Sequence, residues 1–190
     1  MNQNHILAGV DEVGRGPAAG PVTVAAVILP PKFELPGLTD SKLLSVTRRE
    51  RMAIEIKRQA LAIGIGWSSH TYIDDQGLTA ALRKAGDRAL AGLSLTPQKV
   101  VLDGNHNYLT FDCYTQTMVK AEQKVPAVAA ASIIAKVARD RYMELLGARY
   151  PKYGFADHKG YLTARHKAAL QQHGPSVVHR RSWAPVAGLL

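Results

Sequence analysis

The chain has 190 residues, of which 46% are hydrophobic, and its 24 Lys and Arg against 15 Asp and Glu give a formal net charge of +9. This length and apolar fraction predict a single domain over residues 1–190 and exclude a disordered or low-complexity chain. The charge favours a polyanionic partner such as nucleic acid, although many basic proteins bind none. The lone cysteine, Cys113, excludes an intramolecular disulfide and a cysteine zinc cluster. Without a signal-peptide core or a membrane-length apolar run, we expect a cytoplasmic protein.

Two strands are predicted near the N-terminus, over residues 5–11 and 21–29, because branched apolar residues there are bounded by glycine and proline. The turn between them, from Gly14 to Pro21, is short, so the two strands should be antiparallel. The proline-rich residues 30–40 should then form a surface loop.

A first helix is predicted to begin at Thr47, because Thr47 and Glu50 have the spacing of a capping box. Residues 64–69 should form a short strand, and a second helix should begin at about Thr71. The residues that recur at helical spacing in these two helices are Met52, Ala53, Ile56, Ala60 and Ile63 in the first, and Leu78, Leu82, Ala85 and Ala89 in the second.

The second half of the chain alternates in the same way between strands and helices. Residues 99–104 predict a buried strand and residues 114–121 a weaker one. A long helix from about Ala127 should carry Ile134, Val137, Ala138, Tyr142 and Leu145 inward and Lys136, Asp140 and Glu144 on one polar stripe. A last helix should run from Thr163 to the stop at Gly174-Pro175. This alternation predicts an α/β domain with a mixed sheet.

Acidic residues follow two of the buried strands. Asp11 and Glu12 lie where the apolar run of the first strand ends, and Asp103 lies at the end of the strand at 99–104, although Asp103-Gly104 is also a common turn pair. We expect the first strand to stop at Asp11 and the chain to bend toward Gly14, so that both carboxylates face one pocket. Gathered carboxylates repel unless a cation lies between them, and oxygen ligands favour Mg²⁺ or Mn²⁺. In a basic protein, such a cluster suggests metal-assisted cleavage of a phosphodiester.

Six segments, in order along residues 7–187, together resemble the bacterial type 2 ribonuclease H family (ribonuclease HII): AGVDEVGRGPAAGPVTVAAVIL, LTDSKLLS, VLDGNH, VPAVAAASIIAKVARD, YGFADHKGYLTARHKAAL and HRRSWAPV. The resemblance implies a ribonuclease H-like fold, with a mixed central sheet flanked by helices and a small helical C-terminal segment at about 155–190. It also implies an endonuclease that uses Mg²⁺ or Mn²⁺. Such an enzyme hydrolyses RNA in RNA–DNA hybrids and nicks duplex DNA 5′ to embedded ribonucleotides, leaving 3′-hydroxyl and 5′-phosphate ends.

The resemblance also implies a ligand set. Asp11, Glu12 and Asp103 match metal ligands of the family, and Glu122 stands where the family normally has an aspartate. The extra methylene of Glu122 moves its carboxylate outward, which bears on the placement of a second metal. Asp140 is the competing candidate, but an ordinary ion pair with Lys136 one turn earlier explains it, so we favour Glu122.

The residues that match the family's substrate contacts are Gly14, Arg15, Gly16, Lys42 and Tyr161. Glycines let a backbone approach a sugar closely, and the 2′-hydroxyl is the group that distinguishes RNA. A plain hairpin turn also accounts for the glycines, but it leaves Arg15 unexplained. Tyr161 matches a tyrosine that packs on the sugar beside the scissile phosphate, and Lys42 matches a position near that phosphate.

Other basic residues are less specific. Lys136, Arg180 and Arg181 fit either contacts with a nucleic-acid backbone or a solvated basic face. The histidines His158, His166 and His179 lack metal-ligand spacing and are not predicted as ligands. Two alternatives stay open at this stage, which are a different nuclease or integrase-like enzyme of the same broad fold and a non-catalytic nucleic-acid-binding module. We expect a monomer whose substrates are RNA–DNA hybrids and ribonucleotide-containing duplex DNA.

Overall fold

The computed structural model describes residues 6–189, so His5 of the predicted first strand and Leu190 at the C-terminus lie outside the described residues. A single sheet of five strands has the order β3-β2-β1-β4-β5. β1 pairs antiparallel with β2 and parallel with β4, β2 pairs antiparallel with β3, and β4 pairs parallel with β5. The strands are β1 (Leu7–Val13), β2 (Val22–Ile28), β3 (Ala62–Ser68), β4 (Lys99–Asp103) and β5 (Tyr114–Met118). The predicted mixed sheet is confirmed.

Helices cover both faces of the sheet. The helices are α1 (Val46–Gln59), α2 (His70–Ala91), α3 (Pro126–Arg149), α4 (Phe155–His158), α5 (Ala164–His173) and α6 (Ala184–Ala187). Side chains alternate along β2, so Val24 and Ala26 pack in the core under α2, while Ala25 and Val27 pack in the core under α1 and α3. The first core also includes Val10 and Leu102 of the two strands that carry the acids.

Close approach of α3 to β1 requires a glycine in the strand. A Cβ at Gly9 would lie 2.2 Å from the backbone carbon of Ala127 and from the backbone nitrogen of Val128. Asp11 follows Gly9 on the same face of β1, so the first turns of α3 lie beside that carboxylate. The packing of one helix on one strand therefore positions the candidate site.

Two sequence predictions about helices were wrong in register. The cap of α1 is Ser45, whose side chain accepts from the amide of Arg48, and not the predicted capping box at Thr47. In α3, Leu145 is 72% and Tyr142 39% exposed, whereas Met143 and Leu146 are buried. Arg139 is also fully buried, so it lies on the inner face of α3 at this level. It makes hydrogen bonds there in place of apolar contacts. An apolar count alone therefore placed the inner face one residue early.

The boundaries of two other elements also differ from the predictions. Ile63, which the sequence assigned to the first helix, lies in β3, because α1 ends at Gln59. β1 continues to Val13 and does not stop at Asp11; Asp11 pairs with Ala25 and Glu12 with Val24 in the ladder. The adjacent acids therefore belong to a regular strand.

The C-terminal part is helical, as predicted, and has its own apolar cluster of α3, α4 and α5 residues around Phe155. It joins the rest of the chain through a β-bridge between Ala19 and His179 and through the amide of Arg180, which donates to the carbonyl of Ala18 at 2.8 Å. The turn after β1 and the C-terminal segment thus form one hydrogen-bonded unit. Within residues 6–189, no helix has the length and apolarity needed to cross a membrane.

Candidate active site

The acidic residues converge because three neighbouring parallel strands end at the same edge. Val10 of β1 is in register with Leu102 of β4, so Asp11 and Asp103 are the next residues along each strand. Asp103 in turn pairs with Met118, the last residue of β5. The chain then turns back through a short 3-10 helix, Ala121–Gln123, where the amide of Ala121 donates to Oδ1 of Asp103 at 2.9 Å. This turn brings Glu122 beside Asp103.

Asp11 lies at the centre of this group and is buried. Burial, together with the charges of Glu12 and Asp103, raises the pKa of Asp11 to about 8, and a hydrogen bond with Ser132 of α3 opposes the shift. One oxygen of Asp11 also accepts from the amide of Glu12 at 2.8 Å. Burial and the two neighbouring carboxyl groups both disfavour the ionised form of Asp11.

Glu122 is a second carboxylate whose charged form is disfavoured by its surroundings. Burial raises its pKa, and the neighbouring carboxyls of Asp103 and Asp40 raise it further. Its Oε2 atom is buried and has no hydrogen-bond partner. Buried polar atoms of this kind are uncommon and call for a ligand or an ion.

Glu12 is held differently from the other acids, because successive residues of a strand point to opposite faces. Its Oε2 accepts from the hydroxyl of Tyr108 at 3.0 Å, and its Oε1 pairs with Arg15 at 3.0 Å. Burial and the charge of Glu12 raise the pKa of Tyr108 well above its usual value, so this hydroxyl remains a donor. Glu12 thus connects the acids to the glycine-rich turn.

The oxygen donors present fit a hard divalent ion. Neighbouring carboxylates and a buried carboxylate oxygen without a hydrogen-bond partner are the features that favour Mg²⁺ or Mn²⁺ over zinc. As the side chains stand in the described part of the chain, no three His, Cys, Asp or Glu residues are grouped tightly enough to hold a metal ion. The carboxylates interact in a series: Asp11 with Glu12 and with Asp103, and Glu122 with Asp103 and with Asp40.

The turn after β1 is fixed by two buried arginines. Arg180 donates to the carbonyls of Gly14 at 2.5 Å, Arg15 at 2.8 Å and Gly20 at 3.1 Å. Arg139 of α3 donates to the carbonyls of three further residues, Ala19, Pro21 and Lys159. Gly14 has φ of 94°, and a Cβ there would lie 2.3 Å from Nε of Arg139, so no other residue fits.

For Arg180, the sequence left open contact with a nucleic-acid backbone or a solvated basic face, and its burial fits neither. Arg180 is 0% exposed and all three of its hydrogen bonds go to backbone carbonyls of the turn. Burial, and then the charge of Arg139, lowers its pKa to about 9, so it still carries a charge at neutral pH. Arg181, the next residue, is exposed.

The other predicted substrate residues lie around the same opening. The side chain of Arg15 is 57% exposed, and Tyr161 is 43% exposed. A Cβ at Gly16 would lie 3.7 Å from Cε1 of Tyr161, so the ring of Tyr161 faces the glycine turn. Lys42 is exposed on a 3-10 turn, Ser41–Leu43, and Ser41 bonds to Ser132 at 2.9 Å. That bond sets the turn against the helix that borders Asp11.

Asp140, the competing candidate, is separately neutralised. Its two oxygens pair with Lys136 at 2.8 Å and with Arg49 at 3.3 Å. The ion pair expected from the spacing of Lys136 and Asp140 is present.

Sequence reasoning missed Asp40, Tyr108, Ser132 and Arg139. Arg139 had a signal, because it lies at helical spacing among buried residues of α3, where an arginine requires internal partners. Asp40 lies two residues before Lys42 in the quoted segment LTDSKLLS and caps its 3-10 turn. Tyr108 and Ser132 meet the acids only in three dimensions and have no such signal.

Solved structures with this architecture define the class of protein. Ribonuclease H2 from Pyrococcus horikoshii superposes with a TM-score of 0.82 at 28% identity, covering 96% of both chains. The ribonuclease HII in a PCNA complex from Archaeoglobus fulgidus gives 0.77 at 27% identity, covering 94% of this chain and 95% of that one. Bst-RNase HIII, solved with Mn²⁺, gives 0.70 at 20% identity over 96% of this chain and 68% of that one, a likeness in fold alone. The fold is that of a type 2 ribonuclease H.

Comparison of sequences gives the family. The Ribonuclease HII family model matches residues 8–186. The chain is 48% identical over 184 residues to ribonuclease HII of Bacillus cereus, covering 97% of this chain and 71% of that protein. It is 49% identical over 179 residues to that of Streptomyces coelicolor, covering 94% of this chain and 77% of that protein. The chain belongs to the ribonuclease HII family: it is an endonuclease that cleaves RNA in RNA–DNA hybrids and serves ribonucleotide excision. The family uses divalent metal ions.

Proposed function

We propose that Asp11, Glu12, Asp103 and Glu122 hold Mg²⁺ or Mn²⁺ and that the hydrolysis occurs at this edge of the sheet. The observation that carries the proposal is the convergence of the acids at the ends of β1, β4 and β5, with a buried oxygen of Glu122 left without a partner. Divalent ions bound here would supply the charge that activates water and stabilises the leaving oxygen. The chain's own contribution is to hold the carboxylates in place and to orient the scissile phosphate.

We further propose that the turn Gly14-Arg15-Gly16 and Tyr161 select the ribonucleotide. The exposed backbone near Gly16 and the ring of Tyr161 face each other at the distance of an ordinary contact. A sugar lying over both would meet backbone groups that detect a 2′-hydroxyl and an aromatic face that packs on the ring. Lys42, on the turn beside Ser132, is proposed to neutralise the phosphate.

The test uses a DNA duplex carrying one ribonucleotide and the same duplex made only of DNA. With Mg²⁺ or Mn²⁺, we expect a nick on the 5′ side of the ribonucleotide, with 3′-hydroxyl and 5′-phosphate ends, and no cut in the all-DNA duplex. EDTA should abolish the nick. Binding that persists in EDTA, together with no cleavage in either metal, would favour a binding module instead. Light scattering on the same sample should give the mass of one chain, since we propose a monomer.

Substitution of the ligands tests the residues. Asp11→Asn and Asp103→Asn remove one charge without changing side-chain size, and each should lower the nicking rate by about a hundredfold or more, the scale on which loss of a charge-stabilising group acts. The far-ultraviolet circular dichroism of both variants should match the parent. Full activity in either variant would exclude that residue as a ligand.

A further inference from the structure

Three histidines pack together below Tyr161, away from the acidic residues. His166 of α5 is 0% exposed and His179 is 1% exposed, while His158 is half-buried. The rings of His158 and His166 stack with centroids 4.4 Å apart, and those of His166 and His179 are 5.2 Å apart. The activity described above gives these residues no role.

The hydrogen bonds fix where each ring proton lies. Nδ1 of His179 accepts from the amide of Ser176 at 2.9 Å, so the proton of His179 is on Nε2. That atom is 3.0 Å from Nε2 of His166, which must then be the acceptor. The proton of His166 is accordingly on Nδ1, and it is donated to the carbonyl of Tyr161 at 2.9 Å. One direction of donation satisfies every link from Ser176 to Tyr161.

His158 bonds to the backbone on the N-terminal side of Tyr161. Its Nδ1 accepts from the amide of Gly160 at 3.2 Å, and its Nε2 donates to the carbonyl of Tyr153 at 2.7 Å. The backbone carbonyl of His158 accepts from the amide of Tyr161 at 2.9 Å. Both backbone groups of Tyr161 are thus bonded to histidine residues, and its carbonyl also accepts from the amide of Thr163 at 2.9 Å. The ring of Tyr161 is left exposed toward Gly16.

The surroundings favour the neutral forms of His166 and His179. Burial, followed by the charges of His166, His70 and His158, lowers the pKa of His179 to about 4. Burial also lowers the pKa of His166, and His158 adds to the effect. Arg180 also lowers the pKa of the neighbouring His70, whereas Asp74 of α2 raises the pKa of His70. A second proton on His179 would place two donors face to face, because Nδ1 already meets the amide of Ser176.

We propose that His166 and His179 are positioning residues, whose directed hydrogen-bond chain fixes the backbone of Tyr161 and thereby the placement of its ring opposite Gly16. The inference rests on the proposed role of Tyr161 in ribonucleotide selection. The histidines touch no substrate and act only through Tyr161. Because the same rings also pack against Phe155, the test must separate the hydrogen bond from the packing.

Two substitutions of His166 make this separation. His166→Asn places an amide donor near the position of Nδ1 and keeps the bond to the carbonyl of Tyr161, whereas His166→Gln reaches His179 but loses that bond. The carbonyl of Tyr161 keeps its bond from the amide of Thr163 in either variant. We therefore expect kcat/KM for the duplex with one ribonucleotide to fall about tenfold in His166→Gln, the scale of one lost hydrogen bond, and to stay within about threefold of the parent in His166→Asn. His173→Gln, at an exposed position on the same helix, is the control and should match the parent. Equal losses in the Asn and Gln variants would overturn the proposal.

A double-mutant cycle shows whether His166 acts through Tyr161. In a Tyr161→Ala background, His166→Gln should have no further effect on kcat/KM. A full tenfold loss on top of Tyr161→Ala would overturn the positioning role while leaving Tyr161 as a substrate contact. If Tyr161→Ala alone has no effect, the proposed role of Tyr161 fails, and the inference fails with it.

Nitrogen NMR of the histidine rings in the parent protein provides a readout that needs no substitution. The expected protonated atoms at neutral pH are Nδ1 of His166 and Nε2 of His179. The opposite tautomer at either ring would reverse the chain and exclude donation to Tyr161, even if the His166 variants fail to fold.

Discussion

Glu122 differs from its neighbours because one of its oxygens is buried without a partner while the other acids are hydrogen-bonded. Its place in the chain is a short turn after the edge strand β5, so its reach depends on side-chain length as much as on the backbone. A shorter carboxylate draws back from the pocket, and an amide keeps the length but removes the charge. The residue therefore offers two separable tests.

We expect Glu122→Gln to lower the nicking rate by about tenfold or more, because a charge that would stabilise the ion is lost. Glu122→Asp keeps the charge and should change either the rate or the ratio of the rates in Mg²⁺ and Mn²⁺. Rates on a duplex with one ribonucleotide give both quantities. Gln123→Asn, at the exposed neighbouring position, is the matched control. Parent-like behaviour of both Glu122 variants would count against Glu122 as a ligand.

Arg180 and Arg181 show how two adjacent arginines acquire different roles. Arg180→Met leaves the carbonyls of Gly14, Arg15 and Gly20 without their donor, and we expect the free energy of unfolding to fall by about 3 kcal/mol or more. Arg181→Met should change it by about 0.5 kcal/mol or less, because that side chain is exposed. Urea unfolding of both variants measures the difference. Equal values would mean that the arginine does not stabilise the turn.

Asp11, Glu12 and Asp103 could be predicted as candidates from the sequence, because each follows an apolar run, which is a local pattern. The partner of Arg180 could not be predicted, since it is a carbonyl 166 residues away along the chain and leaves no local pattern. The resemblance to a family led to Glu122 and Tyr161, and periodicity alone would have left both unassigned. Local chemistry was readable at the residue scale, and long-range partners were not.

At the scale of elements, strand and helix order was predictable, and the errors fell at boundaries and register. The start of α1 is a clear case, because Ser45 and Thr47 are both hydroxyl residues ahead of the same apolar pattern. Only the backbone distinguishes them: Ser45 has extended geometry with φ of −62° and ψ of 158°, and its hydroxyl accepts from Arg48. In α3, the buried Arg139 interrupts the apolar pattern, so counting apolar residues shifted the inner face.

Ser45→Ala should therefore lower the free energy of unfolding by about 1 kcal/mol, the usual loss for an N-cap hydroxyl. Thr47→Ala, inside the first turn of the same helix, should be close to neutral, within about 0.5 kcal/mol. Thermal or urea unfolding of the pair measures both. A larger effect at Thr47 than at Ser45 would restore the capping box that the sequence suggested.

For the whole molecule, the architecture followed from the alternation of strands and helices, whereas the joining of the C-terminal segment to the turn after β1 did not. That joint runs through the bridge of Ala19 with His179 and through Arg180. None of these three residues lies in a strand or helix that was predicted from the sequence. Long-range contacts of this type depend on burial and on carbonyl positions that appear only in the folded chain.

Because His179 is buried where the C-terminal segment meets the turn after β1, we expect the protein to lose stability in acid. The folded pKa of His179 is lowered from 6.5 to about 4, so the unfolded chain binds more protons between these values. The contribution of neutral His179 to the free energy of unfolding is complete above pH 6.5. As the pH falls toward 4, this contribution is lost, and the free energy of unfolding decreases by about 3 kcal/mol. Unfolding free energies of the parent and of His179→Gln, measured across this range, should converge toward acid. A constant difference between the two would show that His179 is not held neutral.

The central claim is that the acids at the ends of β1, β4 and β5 bind the divalent ion. The most direct measurement is the affinity of the folded protein for Mn²⁺, followed by the paramagnetic resonance signal of the free ion, in the parent and in Asp103→Asn. We predict binding by the parent and an affinity at least about tenfold lower in the variant, since loss of one charged ligand removes 1.4 kcal/mol or more. Equal affinity in the two proteins would contradict the account.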